Sequence, residues 1–123
     1  MKITDCFFLK TGRKYYEKIR VNDILYIESR ATYSRLVTAD KSYLVLLSLR
    51  NWLQVLPEDR FIRIHKSYIV HLEKITTVSS EAVHIHETVL PLNRSQRAYV
   101  LRQLPVIGPL HSLARIELLV AEE

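Results

Sequence analysis

Short apolar runs rich in β-branched and aromatic residues recur along the chain and are separated by polar turns. Residues 23–28 form an apolar run bounded by acids, the pattern of a strand that is buried on both faces. Residues 34–38 and 42–46 flank Ala39-Asp40-Lys41, whose composition is typical of a tight hairpin turn. The spacing of the runs, about 8–12 residues, predicts a mainly β domain. Further strands are predicted at residues 7–9, 15–21, 61–64, 68–70, 74–78, 83–85 and 89–92.

Two segments follow the period of an α-helix instead. In residues 49–56 apolar side chains recur at positions i, i+3, i+4 and i+7, Ser48 is a suitable N-cap, and Pro57 lies just past the end. A second helix is predicted over Ser95–Leu104, where Pro105 stops it. The elements together predict a mainly β fold that contains one or two short helices.

The end of the chain differs from the rest in charge. Residues 1–104 hold 17 Lys or Arg against 10 Asp or Glu, a net charge of +7, whereas residues 105–123 have a net charge of −2. A basic body favours an anionic partner such as nucleic acid. Beyond Gly108-Pro109, apolar residues at three-residue spacing fit a short amphipathic helix, which we expect to cover an edge or a helix of the same domain. These residues are Leu110, Leu113, Ile116 and Leu119.

Length and composition exclude several classes of protein. With 123 residues, of which 48% are hydrophobic and 25% charged, the chain fits one domain with a single core. No run approaches the roughly 18 apolar residues of a membrane-spanning helix, and residues 1–10 lack the features of a signal peptide. The single cysteine, Cys6, excludes an internal disulfide and suits the reducing cytoplasm, where we expect the protein to act. Its neighbours Phe7 and Phe8 indicate a core residue without a redox role.

Catalytic and metal-binding motifs are not found in the sequence. The two glycines, Gly12 and Gly108, are isolated and form no phosphate-binding loop. No cysteine, serine or carboxylate stands in a motif that pairs a nucleophile or an acid with a base. His84 and His86 form an H-x-H pair, but no spacing supplies further metal ligands, so we interpret the pair as the exposed polar face of a strand. We therefore predict no enzyme activity, no cofactor and no metal.

Hydrogen-bond donors concentrate in three connections between the predicted elements. Donors on rigid connections are what phosphate oxygens and purine edges require. In front of the second helix, arginine side chains and free backbone N–H groups could both face a phosphate. The three donor groups are residues 29–35 with Arg30 and Arg35, residues 60–72 with Arg63, His65, Lys66 and Ser67, and residues 93–97 with Asn93, Arg94 and Arg97.

Several of these segments carry a resemblance to a known family. Residues 23–29 read D-I-L-Y-I-E-S, residues 61–70 read F-I-R-I-H-K-S-Y-I-V, and residues 90–94 read L-P-L-N-R. In this uninterrupted order they resemble the LytTR DNA-binding domain. We therefore predict a LytTR-type domain at residues 1–104 and a C-terminal extension of unassigned role at residues 105–123.

The resemblance implies a fold and a function. The fold implied is one of elongated antiparallel β-sheets with a short helix, and the function is sequence-specific binding of duplex DNA in bacterial transcription regulation. Three loops are expected to enter successive major grooves. Because Ser34 and Lys66 differ from the His or Asn of other members, base preference does not carry over. The candidate DNA contacts are Arg30, Ser34 and Arg35 in the first loop, His65 and Lys66 in the second, and Asn93, Arg94 and Arg97 in the third.

The family commonly places a phosphorylatable receiver domain in front of the DNA-binding domain. Nothing in the 123 residues reads as a receiver, so we expect either the output part of a two-component response regulator or a stand-alone regulator. The implied partners are double-stranded DNA with direct repeats, a receiver domain in the full-length protein, and a second copy that forms a homodimer on DNA.

Two other functions stay open at this point. In the first, the domain is a protein-interaction module whose tail and sheet edges bind a partner and whose basic loops are only solvated. In the second, less favoured, it is an RNA-binding β module. Such a module needs exposed aromatic residues for base stacking. Most of Tyr15, Tyr26, Tyr43 and Tyr68 are instead expected in the core.

Overall fold

The computed structural model describes residues 2–108. Within that range, ten strands form three antiparallel sheets accompanied by two α-helices, so the predicted mainly β fold is confirmed. The strands are β1 (Cys6–Lys10), β2 (Tyr16–Arg20), β3 (Ile24–Arg30), β4 (Tyr33–Thr38), β5 (Ser42–Val45), β6 (Phe61–His65), β7 (Tyr68–His71), β8 (Thr77–Val78), β9 (Ala82–Ile85) and β10 (Thr88–Pro91). The helices are α1 (Leu49–Val55) and α2 (Arg94–Arg102).

A five-stranded sheet lies at the centre of the fold, with the strand order β5-β4-β3-β7-β6. Its middle strand, β3, pairs with β4 on one side and with β7 on the other. Layers pack against both faces of the sheet, which explains why Ile24, Tyr26 and Ile27 are all buried although they alternate between the two faces. The apolar run bounded by acids therefore corresponds to a strand that is covered on both sides.

The first core fills the space between the central sheet, α1 and the hairpin formed by β1 and β2. Ser48 caps α1, because its hydroxyl accepts a hydrogen bond of 3.1 Å from the Asn51 backbone N–H. The Trp52 ring packs at a centroid distance of 5.8 Å from the Phe7 ring of β1. This contact ties the hairpin to the helix. The buried members of the first core are Ile19, Val21, Ile24, Ile27, Leu36, Leu49, Trp52, Leu56, Phe61 and Ile69.

The second core lies on the opposite face of the central sheet, under the three-stranded sheet β10-β9-β8 and α2. At the end of β7, His71 is fully buried on the side of the first core, where its ring stacks on Phe61 at a centroid distance of 4.6 Å and its Nδ1 lies 2.8 Å from the Ile24 carbonyl oxygen. Burial disfavours the charged imidazolium, so the pKa of His71 lies below its ordinary value. The buried members of the second core are Tyr26, Ile62, Ile64, Val70, Val83, Ile85, Leu90, Leu92 and Val100.

Several sequence predictions need correction. The second helix begins at Arg94 instead of Ser95, because Asn93 acts as its N-cap. Residues 74–78 are mostly not a strand, since a 3₁₀ turn occupies Leu72–Lys74 before the two-residue β8. His86 adopts a φ of +55° in the turn between β9 and β10, so the H-x-H pair does not share a strand face. Tyr15 is 75% exposed and does not belong to the core.

Some predictions concern residues or properties that need separate mention. The amphipathic helix predicted beyond Gly108-Pro109 lies outside the described residues. No helix within residues 2–108 is both long enough and apolar enough to cross a membrane. Over the same range, no group of three or more His, Cys, Asp and Glu side chains is arranged to hold a metal ion. Cys6 is a free cysteine and is half-buried.

Candidate nucleic-acid interface

Two of the three donor groups meet at one end of the central sheet. The first surrounds the turn Ala31-Thr32, which connects β3 to β4, and the second surrounds the turn Lys66-Ser67, which connects β6 to β7. Because β3 pairs with β7, these turns lie side by side. The Ser29 backbone N–H donates a hydrogen bond of 2.8 Å to the Ser67 carbonyl oxygen, which joins them directly.

The third donor group is attached to the same end of the sheet. The Asn93 backbone N–H donates a 2.8 Å hydrogen bond to the carbonyl oxygen of Ile64 in β6. The Asn93 side-chain oxygen accepts a hydrogen bond from the Ser95 N–H and so caps α2. The first turn of α2, with Arg94 and Arg97, therefore begins beside the strand that leads into the Lys66-Ser67 turn.

Side chains fix the shape of the Lys66-Ser67 turn. Arg63 donates from Nε to the His65 carbonyl oxygen at 3.3 Å and from Nη2 to the Lys66 carbonyl oxygen. His65 Nδ1 accepts a 3.1 Å hydrogen bond from the Ser67 N–H, which leaves Nε2 as the nitrogen that carries the proton of a neutral ring. Arg63 and His65 thus hold the turn, and the Lys66 side chain is exposed at its tip.

Glu28 connects the first donor group to the second. Its Oε1 accepts hydrogen bonds of 3.1 Å from Arg30 Nη1 and 3.0 Å from Arg35 Nε. Its Oε2 accepts a 3.0 Å hydrogen bond from the Tyr68 hydroxyl. Arg35 Nη2 also donates to the Tyr26 hydroxyl at 3.3 Å. One carboxylate of β3 therefore orients two guanidinium groups on β3 and β4 and one ring on β7.

The ionisation of this network follows from its contacts. Partial burial opposes ionisation of Glu28, but the hydrogen bonds from Arg35 and Tyr68 outweigh it, so the pKa of Glu28 lies below its ordinary value. The hydrogen bond to Glu28 raises the pKa of Arg35. Burial, followed by the hydrogen bond to Glu28, raises the pKa of Tyr68. The Glu28 carboxylate is therefore ionised and Arg35 is charged at neutral pH.

Comparison with known families decides which family this arrangement belongs to. The family model described as the LytTr DNA-binding domain matches residues 14–104. The chain belongs to the LytTR family of DNA-binding domains. The match contains all three donor groups and begins after β1, which nevertheless pairs with β2 and packs on the first core.

A solved structure supports the LytTR fold. The chain is similar to the LytTr DNA-binding domain of a protein described as a methyl-accepting/DNA response regulator from Bacillus cereus. The TM-score is 0.68 and the sequence identity is 20%, with 81% of this chain and 96% of that chain covered. At this identity the similarity concerns the fold. No curated protein sequence matches the chain.

Most of the predicted contact residues of this LytTR domain are accessible. Arg30, Lys66, Asn93, Arg94 and Arg97 are exposed at the donor-bearing end. Arg94 and Arg97 line a pocket of about 360 Å³ together with Ser80, Glu81 and Leu92. The side chains of these two arginines make no hydrogen bond or ion pair within residues 2–108.

The remaining three candidates differ in exposure. Arg35 and His65 are half-buried and are held by the contacts described above. Ser34 is 0% exposed, and its hydroxyl accepts a 2.7 Å hydrogen bond from Trp52 Nε1 inside the first core. In this conformation Ser34 cannot touch DNA, so the expectation that it contacts DNA is corrected to a structural role. The physical reason for this role is that the buried indole N–H of Trp52 needs a hydrogen-bond acceptor, which the Ser34 hydroxyl supplies.

Glu28 is the residue that sequence reasoning missed. It stood in the family motif without a role, although the sequence contained a signal for one. Glu28 and Arg35 are cross-strand partners once the connection is recognised as a two-residue turn at Ala31-Thr32. The sequence interpretation instead treated residues 29–35 as a donor-rich connection between two strands, which hid this pairing.

Proposed function

We propose that this LytTR domain binds duplex DNA sequence-specifically in bacterial transcription regulation, as the output domain of a two-component response regulator in the cytoplasm. One observation carries the proposal. Three donor-rich connections converge at the same end of the central sheet, joined by the Ser29–Ser67 and Asn93–Ile64 backbone hydrogen bonds. Rigidly connected donors that point in one direction suit the phosphate oxygens and base edges of a duplex.

The three connections take different roles in this proposal. Lys66, at the tip of its turn, and Arg94, at the start of α2, reach base edges in successive major grooves. Arg30, Arg35 and Arg97 neutralise the neighbouring phosphates. The exposed Asn93 and the Nε2 edge of His65 complete the donor set at the same end.

The test measures binding of fluorescently labelled duplexes by anisotropy at several salt concentrations. The duplexes are one selected by the wild-type chain from a random pool and a scrambled control of the same composition. Arg94→Ala should weaken binding to the selected duplex by about 1–3 kcal/mol and reduce discrimination against the scrambled one. Arg97→Ala should weaken both alike and reduce the salt slope by about one.

Arg102→Ala is the matched control for both variants. It removes the same charge from the same helix, roughly 12 Å along the axis from Arg94. It should leave discrimination between the duplexes unchanged. If the wild-type chain does not distinguish any selected duplex from its scrambled control, sequence-specific binding is wrong. If Arg94→Ala behaves like Arg102→Ala, the assigned contact residues are wrong.

The same selection tests the arrangement of sites. Binding of two copies along one face of DNA requires direct repeats about one helical turn apart. We expect selected duplexes to contain such repeats, and insertion of half a turn between them should abolish cooperative binding. Selected duplexes that contain only single sites would contradict this part of the proposal.

A further inference from the structure

The hairpin of β1 and β2 has one buried and one solvent-facing side. Side chains alternate between the two faces of a strand pair. The inner face carries Phe7, Leu9 and Ile19, which pack on the first core. The side chains that follow the opposite alternation project away from α1 and the central sheet. Because the inner face is anchored through the Phe7–Trp52 contact, the outer face is presented on a fixed support.

The outer face of the hairpin combines exposed aromatic rings with cations. Phe8 is 64% exposed and Tyr16 is 61% exposed. Phe8 is the cross-strand partner of Lys18, and Lys10 is the cross-strand partner of Tyr16, so each ring lies beside an exposed lysine. Large aromatic side chains are rarely left in water on adjacent positions without a reason. The surface therefore has the composition of a binding site.

The tip of the hairpin extends this composition. Tyr15 is 75% exposed, and its carbonyl oxygen accepts a 3.0 Å hydrogen bond from the Thr11 N–H, which closes the tip. A Cβ at Gly12 would lie only 3.3 Å from Tyr15 Cδ2, so the absence of a side chain lets the ring lie across the tip. Arg13 and Lys14 are exposed beside it. A third ring and two further cations thus adjoin the outer face.

The outer face of the hairpin contains no acidic residue of its own, and Asp23 and Asp40 line a groove beside Lys18. The only acid in residues 6–20 is Glu17, on the inner side, where it accepts a 2.9 Å hydrogen bond from the Tyr43 hydroxyl and pairs with Lys41. Lys10, Arg13, Lys14 and Lys18 form no ion pair within the described part of the chain. Within residues 2–108, four cations that form no ion pair thus lie near three exposed rings.

The hairpin lies away from the proposed duplex site. Glu17 contacts Lys41, in the turn that follows β4, whereas the donor groups are at the turn that precedes β4. The six residues of β4 separate the two turns by roughly 17 Å. A second ligand could therefore bind the hairpin while duplex DNA occupies the donor-bearing end.

We propose that the outer face of the β1–β2 hairpin binds single-stranded nucleic acid. Bases that are not paired expose their faces for stacking on aromatic rings, and their phosphates need cations, and this hairpin supplies both. Duplex DNA hides its base faces, so it would leave Phe8, Tyr15 and Tyr16 without partners. The requirement for exposed aromatic residues, which had made an RNA-binding β module less favoured, is met on this surface.

The test uses the full chain and a fluorescein-labelled single strand of 20 thymidines. Phe8→Ala combined with Tyr16→Ala should weaken binding to this strand by about tenfold or more. Lys10→Gln combined with Lys18→Gln should reduce the salt slope by about 1.4, because each neutralised phosphate contributes about 0.7 on a single strand. Tyr99→Ala is the matched control, since Tyr99 is also an exposed aromatic residue, on α2. It should bind the single strand as the wild-type chain does.

Two further measurements test whether the single strand and the duplex bind at different sites. A saturating selected duplex should leave the single strand bound, and complete displacement would show a single shared site and overturn the proposal. Arg94→Ala should not affect single-strand binding. Equal binding by the Phe8/Tyr16 double variant and the wild-type chain would also overturn it.

A membrane surface is the other class of partner for aromatic and cationic residues. Binding to vesicles of phosphatidylglycerol and phosphatidylcholine, lost in the Phe8/Tyr16 double variant, together with no binding of the thymidine strand, would assign the hairpin to lipid and overturn the proposal. Circular dichroism of each variant confirms that the substitutions leave the fold intact, as expected for exposed side chains.

Discussion

The arginines of the central sheet and those of α2 reach the same end of the molecule under different constraints. Arg35 and Arg63, on β4 and β6, each donate two hydrogen bonds to other groups of the protein. The side chains of Arg94 and Arg97, on α2, donate no hydrogen bond within residues 2–108. We call the first pair the restrained arginines and the second pair the unrestrained arginines.

The difference separates two ways of using a positive charge. A restrained guanidinium loses its rotamer freedom on folding, so its position is already set when DNA arrives. An unrestrained guanidinium loses that freedom only on binding, but it can follow small variations in the position of a phosphate. We therefore expect the sheet to fix the register of the domain on DNA, and the helix to supply adaptable contacts.

The largest expected effect is on folding stability at the restrained side. Arg63→Ala removes both hydrogen bonds to the Lys66-Ser67 turn and should lower the free energy of unfolding by about 2 kcal/mol. Chemical denaturation followed by circular dichroism measures this loss. The matched substitution Arg94→Ala should change stability by less than about 0.5 kcal/mol. Equal losses at the two positions would remove the distinction between restrained and unrestrained arginines.

The next effect concerns the carboxylate that restrains Arg35. Glu28→Gln keeps the shape of the side chain but removes its charge, so it should lower stability by about 1 kcal/mol, given the partial exposure of Arg35. Because the net charge rises by one, binding to the scrambled duplex should tighten while discrimination for the selected duplex falls. A stability loss with unchanged discrimination would show that Glu28 supports the fold alone.

The pH dependence of folding stability also tests the contribution of the Glu28 carboxylate. The pKa of Glu28 is lower in the folded than in the unfolded chain, so Glu28 contributes stability above its unfolded pKa, and this contribution is lost as the pH falls through the folded value. On acidification, Glu28→Gln should therefore lose less stability than the wild-type chain. Unfolding titrations at several pH values measure this difference. Parallel curves for the two proteins would contradict it.

The smallest effect should come from exchanging arginine for lysine. Arg97→Lys keeps the charge at an unrestrained position, so affinity for duplex DNA should change by no more than about twofold. Arg35→Lys also keeps the charge but cannot reproduce the paired contacts with Glu28 and Tyr26, so discrimination should fall more. Anisotropy with the selected and scrambled duplexes compares the two. An equal change in discrimination for Arg97→Lys and Arg35→Lys would show that the hydrogen bonds of the restrained arginine do not contribute to discrimination.

Local patterns were sufficient to predict most of the fold. The acid-bounded run from Asp23 to Glu28 corresponds to β3, the turn around Asp40 joins β4 to β5, and Ser48 caps α1 as expected. Each of these features depends on residues close together in the sequence. The second helix begins one residue earlier than predicted, because the Asn93 side chain accepts a hydrogen bond from the Ser95 N–H and so acts as the N-cap.

The other failures have a different physical cause, because they depend on how the strands and turns pack in the folded chain. Ser34 looked like a loop residue with a free hydroxyl, but β4 directs it toward Trp52, 18 positions later in the chain. Tyr15 looked like a core residue because aromatic side chains are usually buried, but it lies at the tip of a hairpin. Neither long-range packing nor the two-residue turn that pairs Glu28 with Arg35 follows from residue type alone.

The pairing of β3 with β7 also has a consequence for the order of folding. The cross-strand partners Glu28 and Tyr68 are 40 positions apart, so their contact closes a long loop, whereas β3, β4 and β5 pair through short turns. Closing long loops is slow and entropically unfavourable. A nascent chain that ends before Lys66 can form the β3–β5 meander but lacks the neighbouring turn of the donor-bearing end. Under the proposed function, binding of duplex DNA during synthesis therefore has to wait until the ribosome has released β7 and, after it, α2 with the third donor group.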